Sequence, residues 1–143
     1  MKEVLSYPGC FVCGGQNTHG LKARFFYDGK HAIAELTATE AFEGYKGIFH
    51  GGIVASLLDE VMIKAILARD VYAVTAEMTV RYRLPIRTGE LARFVGRIVS
   101  NRGRLFTTEG EAIGEGGKLY ASATGTYFEA KPDLRAKLLQ SIE

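Results

Sequence analysis

His50-Gly51-Gly52-Ile53-Val54-Ala55-Ser56-Leu57-Leu58-Asp59-Glu60-Val61-Met62-Ile63-Lys64-Ala65-Ile66-Leu67-Ala68-Arg69 carries the strongest structural signal in the chain. From Ile53 to Leu67 it holds no Gly or Pro, and apolar residues recur at i, i+3 and i+4, which predicts one long helix. Ile53, Val54, Leu57, Leu58, Val61 and Ala65 cover one side, Ala55, Ile63 and Ile66 the other. A helix apolar nearly all round is expected to be buried on all sides. The two glycines at its start leave backbone N–H groups uncovered where the helix dipole favours negative charge, so an anion or a polarised carbonyl can dock there.

The same wheel separates two adjacent acids. Asp59 has Ala55 at i−4, Ile63 at i+4 and Ile66 at i+7, which sets a carboxylate in an apolar stripe. Such a group needs a partner or a task. Glu60 has Ser56 at i−4 and Lys64 at i+4, the favourable order for a weak ion pair, and is expected to be solvated.

Working outward, Leu21 to Tyr27 and His31 to Thr37 read as strands joined by an Asp28-Gly29 hairpin turn. Glu40 to Phe49 is a loop feeding the helix. Val71 to Leu84 alternates, with Val74, Ala76, Met78, Val80 and Tyr82 on the core face and Thr75, Glu77, Thr79, Arg81 and Arg83 opposite, and ends at Pro85. Glu90 to Ser100, Leu105 to Ile113 and Leu119 to Phe128 are three more strands, and Leu134 to Ile142 a short helix. The order is α+β: one buried helix against about six antiparallel strands, in one domain over residues 1–143.

At 143 residues and 47% hydrophobic composition the chain can bury a real core. Its net charge of +2 is too balanced to imply a nucleic-acid partner. No apolar run reaches membrane-spanning length, and the N-terminus lacks a signal-peptide core, so the expectation is a cytoplasmic protein with no membrane partner. Cys10 and Cys13 form a C-x-x-C, which can be redox-active, half of a zinc site, or packing in a tight turn. No second cysteine pair completes a zinc site and no βαβ context surrounds the motif, so packing within the Gly-rich loop from Pro8 to Gly20 is expected, with no metal.

Three segments together resemble one family. His50-Gly51-Gly52 with Asp59 nine residues after the histidine resembles the H-G-G-x6-D signature of hotdog-fold acyl-CoA thioesterases, in the phenylacetate-pathway (PaaI-like) branch. Thr75-Ala76-Glu77-Met78-Thr79-Val80-Arg81-Tyr82-Arg83-Leu84-Pro85 is similar to that family's strand after the helix. Cys10-Phe11-Val12-Cys13-Gly14-Gly15-Gln16-Asn17-Thr18-His19-Gly20-Leu21 is similar to an N-terminal motif of a subset that includes human thioesterase-superfamily-member proteins. The fold it implies is a curled antiparallel sheet wrapped around the central helix.

The resemblance implies roles by position. Asp59 matches the catalytic acid, nucleophile or general base, and Gly51 the residue whose backbone N–H polarises the thioester oxygen. His50 matches a helper of that hole, though a histidine before a helix is as often a cap. Thr75 matches a threonine near the acid, but strict alternation puts it on the polar face, so reaching the site requires a twist, a bulge or a partner subunit. Gly52 and Asn17 are candidate substrate-binding residues, with turn formation the commoner role for an Asn among glycines. Arg81, Arg83, Arg87, Arg102, Arg104 and Lys46 are candidates for the coenzyme's phosphates.

Gly51 and Asp59 are eight residues apart, about 12 Å along a helix, so both cannot touch one carbonyl. If both are catalytic, each site combines Gly51 of one subunit with Asp59 of another. The minimal enzyme is then a homodimer, or a tetramer built from such dimers. The implied reaction is hydrolysis of an acyl-CoA with no cofactor beyond the coenzyme A of the substrate. Two alternatives remain: a hotdog hydratase or dehydratase of acyl thioesters, and an acyl-CoA-binding domain without catalysis.

Overall fold

The computed structural model describes residues 1–142. Helix α1 runs Gly51–Leu67, as the apolar spacing requires. Seven strands surround it: β1 (Lys2–Glu3), β2 (Phe26–Tyr27), β3 (Ala32–Thr37), β4 (Ala73–Tyr82), β5 (Leu91–Arg102), β6 (Leu105–Ile113) and β7 (Leu119–Glu129). They form one antiparallel sheet in the order β1-β2-β3-β5-β6-β7-β4. The sheet curls so that β3 to β7 all pack on α1, which is the hotdog arrangement. Helix α2 (Pro132–Leu139), with Pro at its start, and a 3-10 turn at Gln140–Ile142 close the described chain. No helix among the described residues is long and apolar enough to cross a membrane.

Close approach of α1 to the sheet depends on Gly96 of β5. A Cβ there would lie 2.5 Å from the Val61 carbonyl oxygen and 3.0 Å from the Met62 nitrogen, both main-chain atoms of α1. Leu57, Leu58, Val61, Met62 and Ile66 are consequently sealed at 0% exposure against β-strand residues such as Phe94 and Tyr127.

The strand count and two faces differ from the sequence reading. β1 is an additional strand, and the run from Leu21 shrinks to Phe26–Tyr27. Lys22 takes a positive φ of 53°, which breaks the extended chain, and the Leu21 and Ala23 N–H groups turn to the Phe11 and Val12 carbonyls. In β4 a bulge falls between Thr75 and Glu77: Thr75 pairs with Tyr127 and Glu77 with Thr126, leaving Ala76 over. Core-facing Tyr127, Gly125, Ala123 and Ala121 thus oppose Thr75, Met78, Val80 and Tyr82. Val74 instead opposes the exposed Phe128 and so lies on the face away from Met78, while Ala76, left over by the bulge, is exposed.

The reading of Glu60 and Lys64 as a solvated pair is overturned. The N-terminal segment folds over this flank of α1, burying Val4, Val12, Cys13, Leu21, Ala23 and Phe25 in the common core. Lys64 is 0% exposed and the Glu60 side chain 14%. Lys64 Nζ donates to the Leu5 carbonyl, lies 3.5 Å from Glu60 Oε2, and sits over the Tyr7 and Phe25 rings at 5.1 and 5.7 Å. Burial pushes the Glu60 carboxyl up to about 7, with Cys10 adding to the effect and Lys64 opposing it.

Two measurements test this packing. Gly96→Ala is expected to cost about 1–3 kcal/mol in denaturant unfolding, because α1 must back away from β5. For Glu60, a pKa raised in the folded state means that the native protein binds more protons than the unfolded chain between about 4.5 and about 7, so its contribution falls as pH rises through that window. Wild type is therefore expected to lose up to about 3 kcal/mol of stability relative to Glu60→Gln between pH 5 and pH 8. A pH-independent difference would contradict the buried carboxyl.

Candidate active site

The start of α1 is shaped by its cap. His50 is the N-cap residue, and its Nδ1 accepts the Gly52 N–H at 2.9 Å. The His50 carbonyl takes the Ile53 and Val54 N–H groups at 3.0 and 3.1 Å. Of the first-turn donors, the Gly51 N–H alone is left without a partner among the described residues, at the positive end of the helix. Accepting at Nδ1 leaves the proton of the neutral ring on Nε2. His50 thus acts as a cap that aims this turn, and Gly52 has no free N–H to offer a substrate.

This turn opens on a cleft of 760 Å3 whose walls include Tyr45, Ile48, Phe49, His50, Gly51 and Tyr82. Adjoining it is a mostly apolar pocket of 280 Å3 that shares Ile48, Phe49, Gly51 and Tyr82 and adds Val54, Leu84, Pro85, Ile86, Tyr120 and Ala121. Tyr82 joins the two elements by donating its hydroxyl to the Gly51 carbonyl at 2.6 Å. The sequence reading put Tyr82 on the core face but gave it no part in the site.

Two turns along α1, Asp59 is held from the sheet. Its Oδ1 accepts the Thr75 hydroxyl at 3.0 Å and the Tyr127 hydroxyl at 2.9 Å. The β4 bulge is what turns Thr75 towards the helix, one of the routes that strict alternation left open. Tyr127 is fully buried, and its hydroxyl also reaches the Asp59 carbonyl at 3.2 Å. Burial, and then the Asp59 charge and hydrogen bond, push the Tyr127 phenol far up, so it stays a proton donor. Tyr127 escaped the sequence reading because nothing in a strand rich in Ala, Thr and Tyr marks which tyrosine faces the helix.

Two hydroxyls on one oxygen orient the carboxylate and leave Oδ2 without a hydrogen-bond partner among the described residues. Asp59 is half-buried, not sealed. Ser56 and Ile63, its neighbours on the same stripe of α1, are half-buried as well. Asn17 is engaged elsewhere: its Nδ2 donates to the Gly9 carbonyl at 3.2 Å and its Oδ1 accepts the His19 N–H at 3.0 Å, the turn-forming arrangement. Among the candidate phosphate contacts, Arg83 lines the apolar pocket, while Arg104 donates to the Glu129 carbonyl at 3.0 and 3.1 Å.

Within one chain, then, Thr75 and Tyr127 gather at Asp59, and His50 and Tyr82 gather at Gly51. The two groups stand about 12 Å apart along an unbroken helix.

The chain is similar to several known proteins. An uncharacterised protein of Schizosaccharomyces pombe is 28% identical over 107 residues, 71% of this chain, and the chain spans 61% of that relative's length. The phenylacetic acid degradation protein PaaI of Thermus thermophilus, solved as a mutant, is 25% identical with a TM-score of 0.71 over 77% of this chain and 95% of its own. A Streptococcus mutans protein solved bound to acetyl CoA is 22% identical with a TM-score of 0.68, covering 76% of this chain and 88% of that one. The family model of the thioesterase superfamily matches residues 46–121, more than half of the chain, and the protein belongs to that superfamily.

Proposed function

We propose that the protein is an acyl-CoA thioesterase acting at two equivalent sites of a homodimer. The observation that carries this reading is the Asp59 carboxylate, oriented by the Thr75 and Tyr127 hydroxyls at a half-buried position on a helix whose first N–H has no partner among the described residues. The Gly51 N–H binds the thioester carbonyl oxygen and takes up its negative charge in the tetrahedral state. Asp59 either accepts a proton from an attacking water or attacks the carbonyl carbon itself. Coenzyme A departs as a thiolate, which needs no strong general acid. The apolar pocket beside Gly51 suits the acyl group, and the wider cleft that adjoins it suits the coenzyme. That a structural neighbour is solved with acetyl CoA supports the same ligand class.

The position of β4 supports sharing across copies. This strand lies at the edge of the sheet, with Thr75 near its Asp59 end and Tyr82 at its Gly51 end. Antiparallel pairing of two β4 edges, centred between Met78 and Thr79, sets Thr75 of one copy across from Tyr82 of the other. The Asp59 cluster of one chain then meets the Gly51 cluster of its twin. Two-fold symmetry repeats the encounter.

Thiol release from a panel of short, medium, long and aromatic acyl-CoAs tests the activity. Asp59→Asn is expected to lower kcat at least about 100-fold with KM changed only a few-fold. Thr75→Ala, which removes one hydrogen bond to that carboxylate, is expected to cost about 10-fold. Acyl-CoA binding without thiol release would favour a binding domain instead. Sedimentation should give at least twice the 15.7 kDa of one chain. A fully active monomer would contradict the shared site.

A further inference from the structure

The other acid of α1 belongs to a separate cluster. Cys10 and Cys13 sit on a single helical turn closed by the Gly14 N–H on the Cys10 carbonyl at 2.9 Å. A Cβ at Gly14 would lie 2.4 Å from the Pro8 oxygen, so glycine is what lets this turn close. The Cys13 N–H donates to Cys10 Sγ at 3.3 Å. Cys10 is half-buried and Cys13 buried. Both sulfurs and a carboxylate oxygen of Glu60 lie within 4.8 Å of one another. Lys64 Nζ is 3.4 Å from Cys13 Sγ and 3.5 Å from Glu60 Oε2. None of these side chains contacts the Asp59 carboxylate, whose partners are Thr75 and Tyr127.

Three ligand atoms in a group also suit a metal ion, but the Lys64 head already lies among them and would repel a cation. The same head favours a thiolate. The sulfurs form a half-buried outer thiol and a buried inner one, joined by one short turn, with a largely buried carboxylate beside both. We propose that Cys10 and Cys13 form a thiol–disulfide exchange site for small disulfides, with Glu60 as proton acceptor for Cys13 and Lys64 as the countercharge.

The exchange balances in two steps. The Cys10 thiolate attacks one sulfur of a small disulfide R–S–S–R, forming a Cys10–S–S–R bond and releasing one RS⁻. Cys13 then passes its proton to Glu60, and its thiolate attacks Cys10 Sγ, forming the Cys10–Cys13 bond and releasing the second RS⁻. The released thiolates take up the protons. The protein dithiol is oxidised by two electrons and the small disulfide is reduced to two thiols; excess thiol drives the reverse.

Electrostatics agree with this division of labour. The hydrogen bond from Cys13 first, with main-chain N–H groups and Lys64, holds the Cys10 thiol well below the usual thiol range against its burial. Cys13 is pushed up, as donor of that bond and by burial. The groups that bear on Glu60 are Cys10, Lys64 and its neighbour Asp59, and Tyr7 flanks them with its phenol pushed up to about 12 by burial, Tyr72 and Glu60.

Glutathione disulfide added to the full-length reduced protein at pH 7, followed by acid quench, alkylation and intact mass measurement, tests the site without reference to acyl-CoA hydrolysis. Wild type is expected to lose both thiols and retain no glutathione. Cys13→Ser is expected to hold one glutathione on Cys10, and Cys10→Ser to react at least about 10-fold more slowly. Glu60→Gln is expected to prolong the mixed disulfide about 10-fold or more. Should that variant misfold, the pH profile of resolution in wild type gives the same readout, with the rate rising through about 7. Wild type that keeps both thiols free, a mixed disulfide that never resolves, or a zinc ion that must be chelated before either thiol reacts would each overturn the proposal.

Discussion

The Val61 carbonyl of α1 rests where any side chain on Gly96 of β5 would stand, and this contact sets the depth of the helix in the sheet. At that depth the helix loses water on nearly every side. Its apolar residues gain by it, at about 25 cal/mol per Å2 of apolar surface, and each polar residue on it must find a partner in the surrounding chain. The chemistry of the protein is the set of answers that the surrounding chain provides.

Those answers come from opposite flanks. Asp59 is met from the sheet by Thr75 and Tyr127, two neutral donors that orient the carboxylate without cancelling its charge. Glu60, one residue on and about 100° round the helix, is met from the N-terminal segment by Cys10 and Cys13 and from its own helix by Lys64. Adjacent positions with the same side-chain chemistry thus acquire different environments. At the helix start a third polar group, the Gly51 N–H, is left open on a cleft. The capping histidine occupies the next donor and leaves that one alone at the positive end of the helix among the described residues.

Helix α1 was legible because its signal is local: fifteen residues without Gly or Pro, with apolar spacing that only a buried helix explains. Asp59 stood out for the same reason, as a carboxylate among Ala55, Ile63 and Ile66. The His50 cap and the turn role of Asn17 were within reach as well, since each bonds to a residue at most eight positions away. Glu60 was misread because its i+4 neighbour suggested a surface pair, while the chain that buries it lies 51 positions from Lys64.

Amino-acid order alone therefore settled the helix and the approximate positions of the longer strands and singled out Asp59 as a carboxylate among apolar neighbours, since each depends on spacing within a few residues. Tertiary structure settled which hydroxyls reach Asp59, which tyrosine lines the helix start and which cysteines meet Glu60. Thr75 reaches Asp59 through a one-residue bulge, which inverts a face without changing composition. Tyr127 lies 68 positions from its partner. Pairings over such distances depend on sheet register and on how the N-terminal segment folds back over α1, and neither leaves a trace in local periodicity.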